Sequence, residues 1–175
     1  MARRLAAALL LISLATAARA EAPEPKKPID LGRFMGKWYE ILRTPNGNQK
    51  NCYAAYQVWS QKPDGKFSIK QYCHKDGPDG PEKLVNTSAK VLDPPTNAKF
   101  EASFFAGLIR GRYWVVDRAD NYDWMIATTE DGNFPALLAR EPSLPEGEQS
   151  KLKQRMAQLG FNTGKLEAFG VRQNR

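Results

Sequence analysis

Residues 52–75 read CYAAYQVWSQ, KPDG and KFSIKQYCHK, which are two runs of β-type residues separated by a short turn. Pro63 sets the φ angle of the first turn position, and Gly65 accepts the positive φ that a tight reversal needs. Residues such as Val, Ile, Tyr, Phe and Trp favour strands. The segment therefore predicts an antiparallel hairpin.

Similar β-type runs recur at short intervals between residues 36 and 140, and this spacing is typical of an all-β sandwich or barrel. The predicted strands are 37–44, 52–61, 66–75, 83–92, 99–105, 112–117, 124–129 and 134–140. After residue 140 the apolar residues change to helical spacing, with Leu152, Met156 and Leu159 on one face. One amphipathic helix over about 146–159 is therefore expected outside the strands.

Several of these strands are apolar on both faces, which favours a closed sheet. In 112–117, Tyr113 and Val115 alternate with Trp114 and Val116. A sheet that is apolar on both faces needs cover on both, and a single helix cannot supply it. Closure into a barrel covers the inner face and removes the exposed edges.

An eight-stranded barrel is either filled by its own side chains or holds one small ligand. The predicted inner faces carry the small residues Ala54, Ala102 and Ala136 beside aromatic ones. Alanine lining favours a hollow interior. A solid core, in which large partners fill the space beside the alanines, remains the alternative at this point.

The N-terminus has the features of a secretory signal peptide. Arg3 and Arg4 precede an apolar run over 5–18, and small residues lead up to residue 20. Residue 21 is Glu21, where a lipoprotein would need a cysteine, so no stable membrane anchor is expected. Residues 21–28 are predicted to be a mobile leader and 29–170 a single domain, in a periplasmic or secreted protein.

Charge and cysteine content exclude some functions. The formal net charge of +7 includes three arginines of the first 20 residues, and the remaining basic residues are spread out, so nucleic acid is not an expected partner. Cys52 and Cys73 are the two cysteines of an exported chain and are expected to form a disulfide. With the single His74 they cannot build a structural zinc site, so neither metal nor cofactor is expected.

Three segments resemble the lipocalin family, in its bacterial lipocalin and apolipoprotein D branch. Residues 34–40, FMGKWYE, match the G-x-W signature through Gly36 and Trp38. Residues 103–105 and 112–117, SFF and RYWVVD, resemble the second conserved region, and 137–142, LLAREP, resembles the third through Arg140. The resemblance implies an eight-stranded antiparallel up-and-down β-barrel with one C-terminal helix packed outside.

The resemblance also implies a function and two structural roles. It implies binding, storage or transport of a small hydrophobic ligand such as a fatty acid or lysophospholipid, by a monomer or weak dimer and without catalysis. Trp38 would close the barrel floor, with the Arg140 guanidinium over its indole. Such a cation–π contact contributes about 0.5–2 kcal/mol.

The family pattern assigns the ligand-binding positions strand by strand. They are Trp38, Glu40, Leu42, Ala54, Tyr56, Val58, Phe67, Ile69, Gln71, Phe100, Ala102, Phe104, Tyr113, Val115, Trp124, Ile126, Thr128, Phe134, Ala136 and Leu138. The bacterial branch often has a large aromatic residue where Ala136 stands, so a wider pocket is expected here. Gln71, Lys99 and Arg112 are the candidate partners of a polar head group at the mouth.

Two other functions remain open from the sequence. A lipocalin-type isomerase would need Cys52 as a free thiolate, which a disulfide with Cys73 prevents. Glu40 could act as a general base or simply form hydrogen bonds inside the barrel. A binder of proteins or membrane surfaces would instead use the loops 45–50 and 76–81.

Overall fold

The computed structural model describes residues 21–168 of the chain. The predicted signal peptide, residues 1–20, lies outside the described residues, and so do residues 169–175. The described part consists mainly of antiparallel strands. They are β1 Gly36–Arg43, β2 Cys52–Gln61, β3 Phe67–Lys75, β4 Glu82–Val91, β5 Lys99–Phe104, β6 Ile109–Arg118, β7 Trp124–Thr129, β8 Ala136–Ala139 and the short β9 Glu167–Ala168. The helices are α1 Leu31–Phe34 and α2 Glu146–Gln158.

The first eight strands form a closed up-and-down barrel, which confirms the predicted fold. Each strand from β2 to β7 pairs antiparallel with the next one along the chain, so that β2 to β8 form a continuous meander. The first strand closes the cylinder because it pairs with both β2 and β8: Tyr39 lies opposite Tyr56 on one side and Ala139 on the other. The two residues of β9 add a short pairing to Leu42 and Arg43.

The alternating strand directions give the barrel two distinct ends. Strands β1, β3, β5 and β7 all run towards one end, which we call the mouth, and the opposite end is the floor. The mouth carries the connections 44–51, 76–81, 105–108 and 130–135. The floor is covered by the chain that leads into β1, including α1, and by the connection 92–98, where Ile29 N donates to Thr96 O at 2.8 Å.

Helix α2 packs against the outside of the barrel, as predicted. Its buried side chains Leu152 and Met156 belong to an apolar cluster with Ile126 and Leu137 of the wall. Arg155 Nε donates to a carboxylate oxygen of Asp117 on β6 at 2.8 Å. The outer wall under α2 is thus apolar, and this explains why some strands have two apolar faces.

Residues 21–28, the predicted leader, lie against the barrel. Ala22 N donates to Glu130 O at 2.9 Å, and Lys27 Nζ donates to Arg118 O at 2.8 Å. In return, the Arg118 guanidinium donates to Pro28 O at 2.7 Å. Backbone groups of the barrel supply the partners, which composition alone does not reveal.

Among residues 21–168, no helix has both the length and the apolar character needed to cross a membrane.

Candidate ligand-binding site

A cavity of about 360 Å³ occupies the barrel between mouth and floor. This volume falls within the range of small-molecule binding pockets, roughly 300–1,000 Å³. Most of its wall is apolar, and polar side chains concentrate towards the mouth. The lining residues are Phe34, Glu40, Arg43, Thr44, Asn46, Gln49, Gln57, Trp59, Ile69, Gln71, Phe100, Ala102, Phe104, Tyr113, Val115, Met125, Ala127, Thr128, Thr129, Phe134, Ala136 and Leu138.

Aromatic rings close the cavity at the floor. Phe34 stacks on Phe100 with ring centroids 5.5 Å apart, and Trp59 meets Phe34 edge-on at 5.0 Å. Phe67 packs on both Trp59 and Phe100 at about 6 Å. Such tilted and edge-on aromatic contacts add about 0.5–1.5 kcal/mol per pair beyond the burial of their area. The floor is therefore a solid aromatic layer beneath a hollow upper half.

Trp38 and Arg140 hold this layer from below. Trp38 is fully buried and donates through Nε1 to Phe34 O at 2.9 Å. The Arg140 guanidinium lies 3.7 Å from the Trp38 ring centroid and donates to the carbonyl oxygens of Lys37 and Arg33, at 2.8 and 2.7 Å. The cation–π contact anticipated from the sequence is present. Burial lowers the pKa of the Arg140 guanidinium.

Gly36 is required where the chain enters β1. Its φ is +95°, a left-handed conformation that L side chains rarely adopt. A Cβ on this residue would also lie 3.4 Å from Nη1 of Arg140. The glycine of the signature therefore lets the backbone turn beneath the floor and leaves room for the guanidinium.

A charged pair lies inside the barrel near the mouth. Arg43 is 3 % exposed and Glu40 18 %, and an Arg43 guanidinium nitrogen donates to a Glu40 carboxylate oxygen. Gln49, from the mouth connection 44–51, donates through Nε2 to the same carboxylate at 3.1 Å. Arg43 also donates to Cys52 O at 2.9 Å. The mouth loop is thereby tied to an ion pair that faces the lumen.

Two further polar groups stand on the upper wall. Gln71 Nε2 donates to Thr87 Oγ1 at 3.1 Å, so the amide is already partnered by its neighbouring strand. The second is the Tyr113 hydroxyl, and burial raises the pKa of this group above the ordinary value of tyrosine. The upper lumen offers dipoles and one ion pair to a head group, while the lower lumen is apolar.

The structure brings twelve of the predicted site residues to the cavity wall. All predicted positions of β5 and β6 and those at and before β8 lie there, because the strands alternate regularly over these positions; the register shift in β6 comes after Val115. The twelve are Glu40, Ile69, Gln71, Phe100, Ala102, Phe104, Tyr113, Val115, Thr128, Phe134, Ala136 and Leu138. Trp38 and Phe67 instead lie buried in the floor.

On β2 the predicted orientation is inverted. The register shifts between Tyr53 and Tyr56, where Ala54 has a φ of +46°. A bulge adds one residue to the strand, so every following side chain changes face. Gln57 and Trp59 therefore line the lumen. The predicted Ala54, Tyr56 and Val58 do not line it.

Leu42, Trp124 and Ile126 also lie away from the lumen. A register shift between Glu40 and Leu42 turns Leu42 outwards and brings Arg43 to the cavity. Trp124 and Ile126 pack in the cluster beneath α2, so Met125 and Ala127 line the cavity in their place. Both faces of β7 are apolar, and for that reason its sequence could not show which face is inside.

Of the three predicted head-group partners, Gln71 alone lines the cavity. Lys99 stands at the start of β5 near the floor, where its ammonium contacts Glu24 at 2.7 Å and the Trp114 ring at 4.1 Å. Arg112 is about half exposed and pairs with Glu130 at 3.0 Å. The sequence missed Arg43 as a lining residue, because only the bulge in β1 points it inwards.

The disulfide closes the thiol route to catalysis. Cys52 and Cys73 are bonded, with Cα atoms 5.4 Å apart, at the mouth ends of β2 and β3. Both cysteines of the chain are used in this bond, so no thiolate faces the lumen. Glu40, the other candidate, is held by Arg43 and Gln49, which fits a structural carboxylate.

Comparisons with known proteins agree with this architecture. The family model described as the Lipocalin-like domain matches residues 29–170. Among curated proteins, the chain is 26 % identical to outer membrane lipoprotein Blc of Vibrio cholerae, covering 82 % of this chain and 85 % of the relative. It is 27 % identical to apolipoprotein D of Mus musculus, covering 82 % and 78 %.

Solved structures repeat the fold at lower identity. Insecticyanin from the tobacco hornworm Manduca sexta superposes with a TM-score of 0.67 at 14 % identity, over 87 % of each chain. The major allergen Per a 4 from cockroaches gives a TM-score of 0.66 at 14 % identity, over 87 % of this chain and 95 % of that one. At these identities the likeness extends to the fold alone.

Proposed function

Because the chain belongs to the lipocalin-like family, we propose that it binds and transports a small hydrophobic molecule in its barrel, in a periplasmic or extracellular compartment. The cavity is the observation that carries the proposal: it is large enough for one chain-like ligand and apolar in its lower half. Each methylene transferred from water into such a space contributes about 0.8 kcal/mol, so an alkyl tail supplies most of the affinity. The disulfide is in keeping with an oxidising compartment.

We further propose a single-chain lipid of the fatty acid or lysophospholipid class, with its tail towards the floor and its head at the mouth. The Glu40–Arg43 pair favours the zwitterionic head within this class. A head group with both charges can contact both partners, whereas a free carboxylate must compete with Glu40 for the guanidinium. The twelve lining residues predicted from the sequence, with Trp59 and Met125, are the proposed contacts.

The binding function is tested by blocking the lumen. Native mass spectrometry of the purified protein is expected to show a bound lipid of a few hundred daltons. Uptake of a fluorescent fatty acid should be lost in Ala102→Phe, since Ala102 lines the cavity and its enlargement fills the middle of the bore. Ala157→Phe is the matched control, because Ala157 is exposed on α2 outside the barrel.

The result that contradicts the proposal is equally definite. If the wild type carries no ligand and takes up no probe, or if Ala102→Phe and Ala157→Phe bind the probe equally well, the lumen is not the binding site.

The head-group preference is tested by competition between a lysophosphatidylethanolamine and palmitate for the lumen. Stronger competition by palmitate would remove the assignment of a zwitterionic head and leave the lumen site itself intact.

A further inference from the structure

The hairpin between β5 and β6 ends at the mouth in an exposed apolar segment. Residues 105–109, FAGLI, form this segment, which we call the tip. Its Phe105, Leu108 and Ile109 side chains are 68 %, 88 % and 56 % exposed. Water-soluble proteins expose single apolar residues often, but a run of large ones on one protruding turn marks an interaction site.

Other exposed apolar side chains connect the tip to the lumen. Tyr113 and Phe134 are 37 % and 43 % exposed at the mouth, and both also line the cavity. Phe104, next to the tip, lines the cavity as well. At the floor end, Leu92 is 38 % exposed and stands apart from this surface. A continuous apolar path therefore runs from the tip into the barrel.

Basic side chains form a strip on the outer wall, which begins at Arg110 next to the tip and continues towards the floor with Arg112 and Lys90. Lys90, Arg110 and Arg112 are each at least half exposed, and all three approach Glu101, which is 13 % exposed, at 3.2–3.8 Å. A hydrogen bond from Lys90, with the charges of the arginines, lowers the pKa of that carboxyl. The two carboxylates, Glu101 and Glu130, do not balance the three cations. The strip therefore retains positive charge suited to phosphate groups.

From these observations we propose that the tip inserts into the surface of an anionic phospholipid bilayer while the basic strip contacts the head-group phosphates. An exposed apolar turn can enter a fluid lipid surface, which deforms around it, without a complementary groove. Basic residues near a membrane surface contribute about 1 kcal/mol each in lipid that carries negative charge. In this orientation the mouth faces the bilayer, and a lipid passes between membrane and lumen along the apolar path. The docking does not depend on which lipid the lumen holds.

The proposal is tested with vesicles and the purified protein. The wild type should co-sediment with vesicles of phosphatidylethanolamine and phosphatidylglycerol, and more weakly with phosphatidylcholine vesicles. The double variant F105S/L108S should bind the anionic vesicles at least about tenfold more weakly, since two large side chains no longer enter the lipid. Leu92→Ser is the matched control at the other end of the barrel and should bind like the wild type.

Separate experiments measure the contribution of charge to vesicle binding and the depth to which the tip enters the lipid. Arg110→Glu should reduce binding to anionic vesicles and leave binding to phosphatidylcholine unchanged, and added salt should have the same effect on the wild type. The tryptophan introduced in L108W should be quenched by lipids with brominated acyl chains, more strongly than the tryptophan introduced in L92W. The wild type and all variants have the same N-terminus, so differences in their vesicle binding report on the substituted positions.

Three outcomes would overturn the proposal. The first is a wild type that does not partition to anionic vesicles, and the second is an equal loss in F105S/L108S and L92S. The third is a concentration-dependent dimer that F105S/L108S abolishes in the absence of vesicle binding, which would make the tip an interface between two copies of the chain. Probe uptake in solution by the tip variants is read in parallel, so failure of docking is distinguishable from failure of ligand binding.

Discussion

The floor and the mouth of the barrel are built on opposite principles. At the floor, Trp38 and Phe67 are fully buried, and Arg140 seals the layer with hydrogen bonds to backbone carbonyls. At the mouth, Leu108 is 88 % exposed, and a charged pair centred on Arg43 faces the lumen. The floor is therefore closed by buried packing, whereas the mouth combines exposed apolar side chains with an ion pair that lines the cavity.

Substitutions at the two ends are therefore expected to change different properties of the protein. A change at the floor disrupts packing around rings that have no other space to occupy, so it alters stability first. A change at an exposed position of the mouth removes a side chain that is already in contact with water, so it is expected to alter binding and leave the fold intact. The buried Cys52–Cys73 bond at the same end is the exception.

Trp38→Ala has the largest expected effect. Loss of the indole leaves a cavity in the floor and removes the ring beneath Arg140, which should lower the free energy of unfolding by about 3–5 kcal/mol. Urea denaturation measures it. Leu108→Ala is the control at the mouth, with an expected change within about 0.5 kcal/mol. An equal loss of unfolding free energy in both variants would show that the floor contributes no more to stability than the mouth does.

Removal of the disulfide should have the next largest effect. The bond closes a segment between residues 21 apart in sequence, and a loop of this size stabilises a fold by about 3 kcal/mol through the unfolded chain. C52A/C73A should thus melt at a lower temperature in calorimetry. Its probe binding below that temperature should persist, because neither cysteine lines the cavity. Loss of binding in the still-folded variant would show that the mouth needs the bond for its shape.

Arg140→Lys should cost less, about 1–2 kcal/mol. Lysine keeps the charge above the Trp38 ring but cannot donate in the planar geometry by which Arg140 reaches both Lys37 O and Arg33 O. Urea denaturation of Arg140→Lys and Lys153→Arg, an exchange at an exposed position of α2, tests this. A loss as large as that of Trp38→Ala would indicate that the guanidinium, not the indole, organises the floor.

Tyr56, on the outer wall between the two ends, should give the smallest effect. Burial and then Glu82, which accepts its hydroxyl hydrogen bond, raise its pKa from 10.0 to about 12. Because the folded state holds the neutral form, the stabilisation is complete below pH 10 and is lost as the pH rises towards 12. Absorbance titration of wild type against Tyr56→Phe should identify one late-titrating tyrosine. Its absence would show that Glu82 does not hold the hydroxyl.

The sequence predicted the barrel, the outer helix and the disulfide because each leaves a local signal. Turn chemistry at Pro63 and Gly65 marks a hairpin, and the recurrence of such runs limits the fold class. The regular strands gave the inner face correctly: Phe100, Ala102 and Phe104 all line the cavity. No bulge interrupts β5, so the alternation holds along its whole length.

The errors have physical causes that the sequence conceals. The bulge at Ala54 inverts the rest of β2, and a register shift after Glu40 brings Arg43 inside. On β7 both faces are apolar, since α2 covers the outer one with Leu152 and Met156. Bulges depend on pairing with neighbouring strands, and the covering of a face depends on the rest of the fold, so neither is visible in one strand.

Affinity across a series of single-chain lipids with one head group is the most direct measurement of whether the lumen holds the ligand tail. If the tail lies in the apolar lower lumen, affinity should rise about fourfold per added methylene until the cavity is full and then stay constant. Ala136→Phe places a larger side chain in the cavity wall and so reduces the space for the tail. In this variant the plateau should begin at a shorter chain. An affinity that does not depend on chain length, or a plateau that begins at the same chain length in Ala136→Phe, would show that the tail does not lie in the lumen.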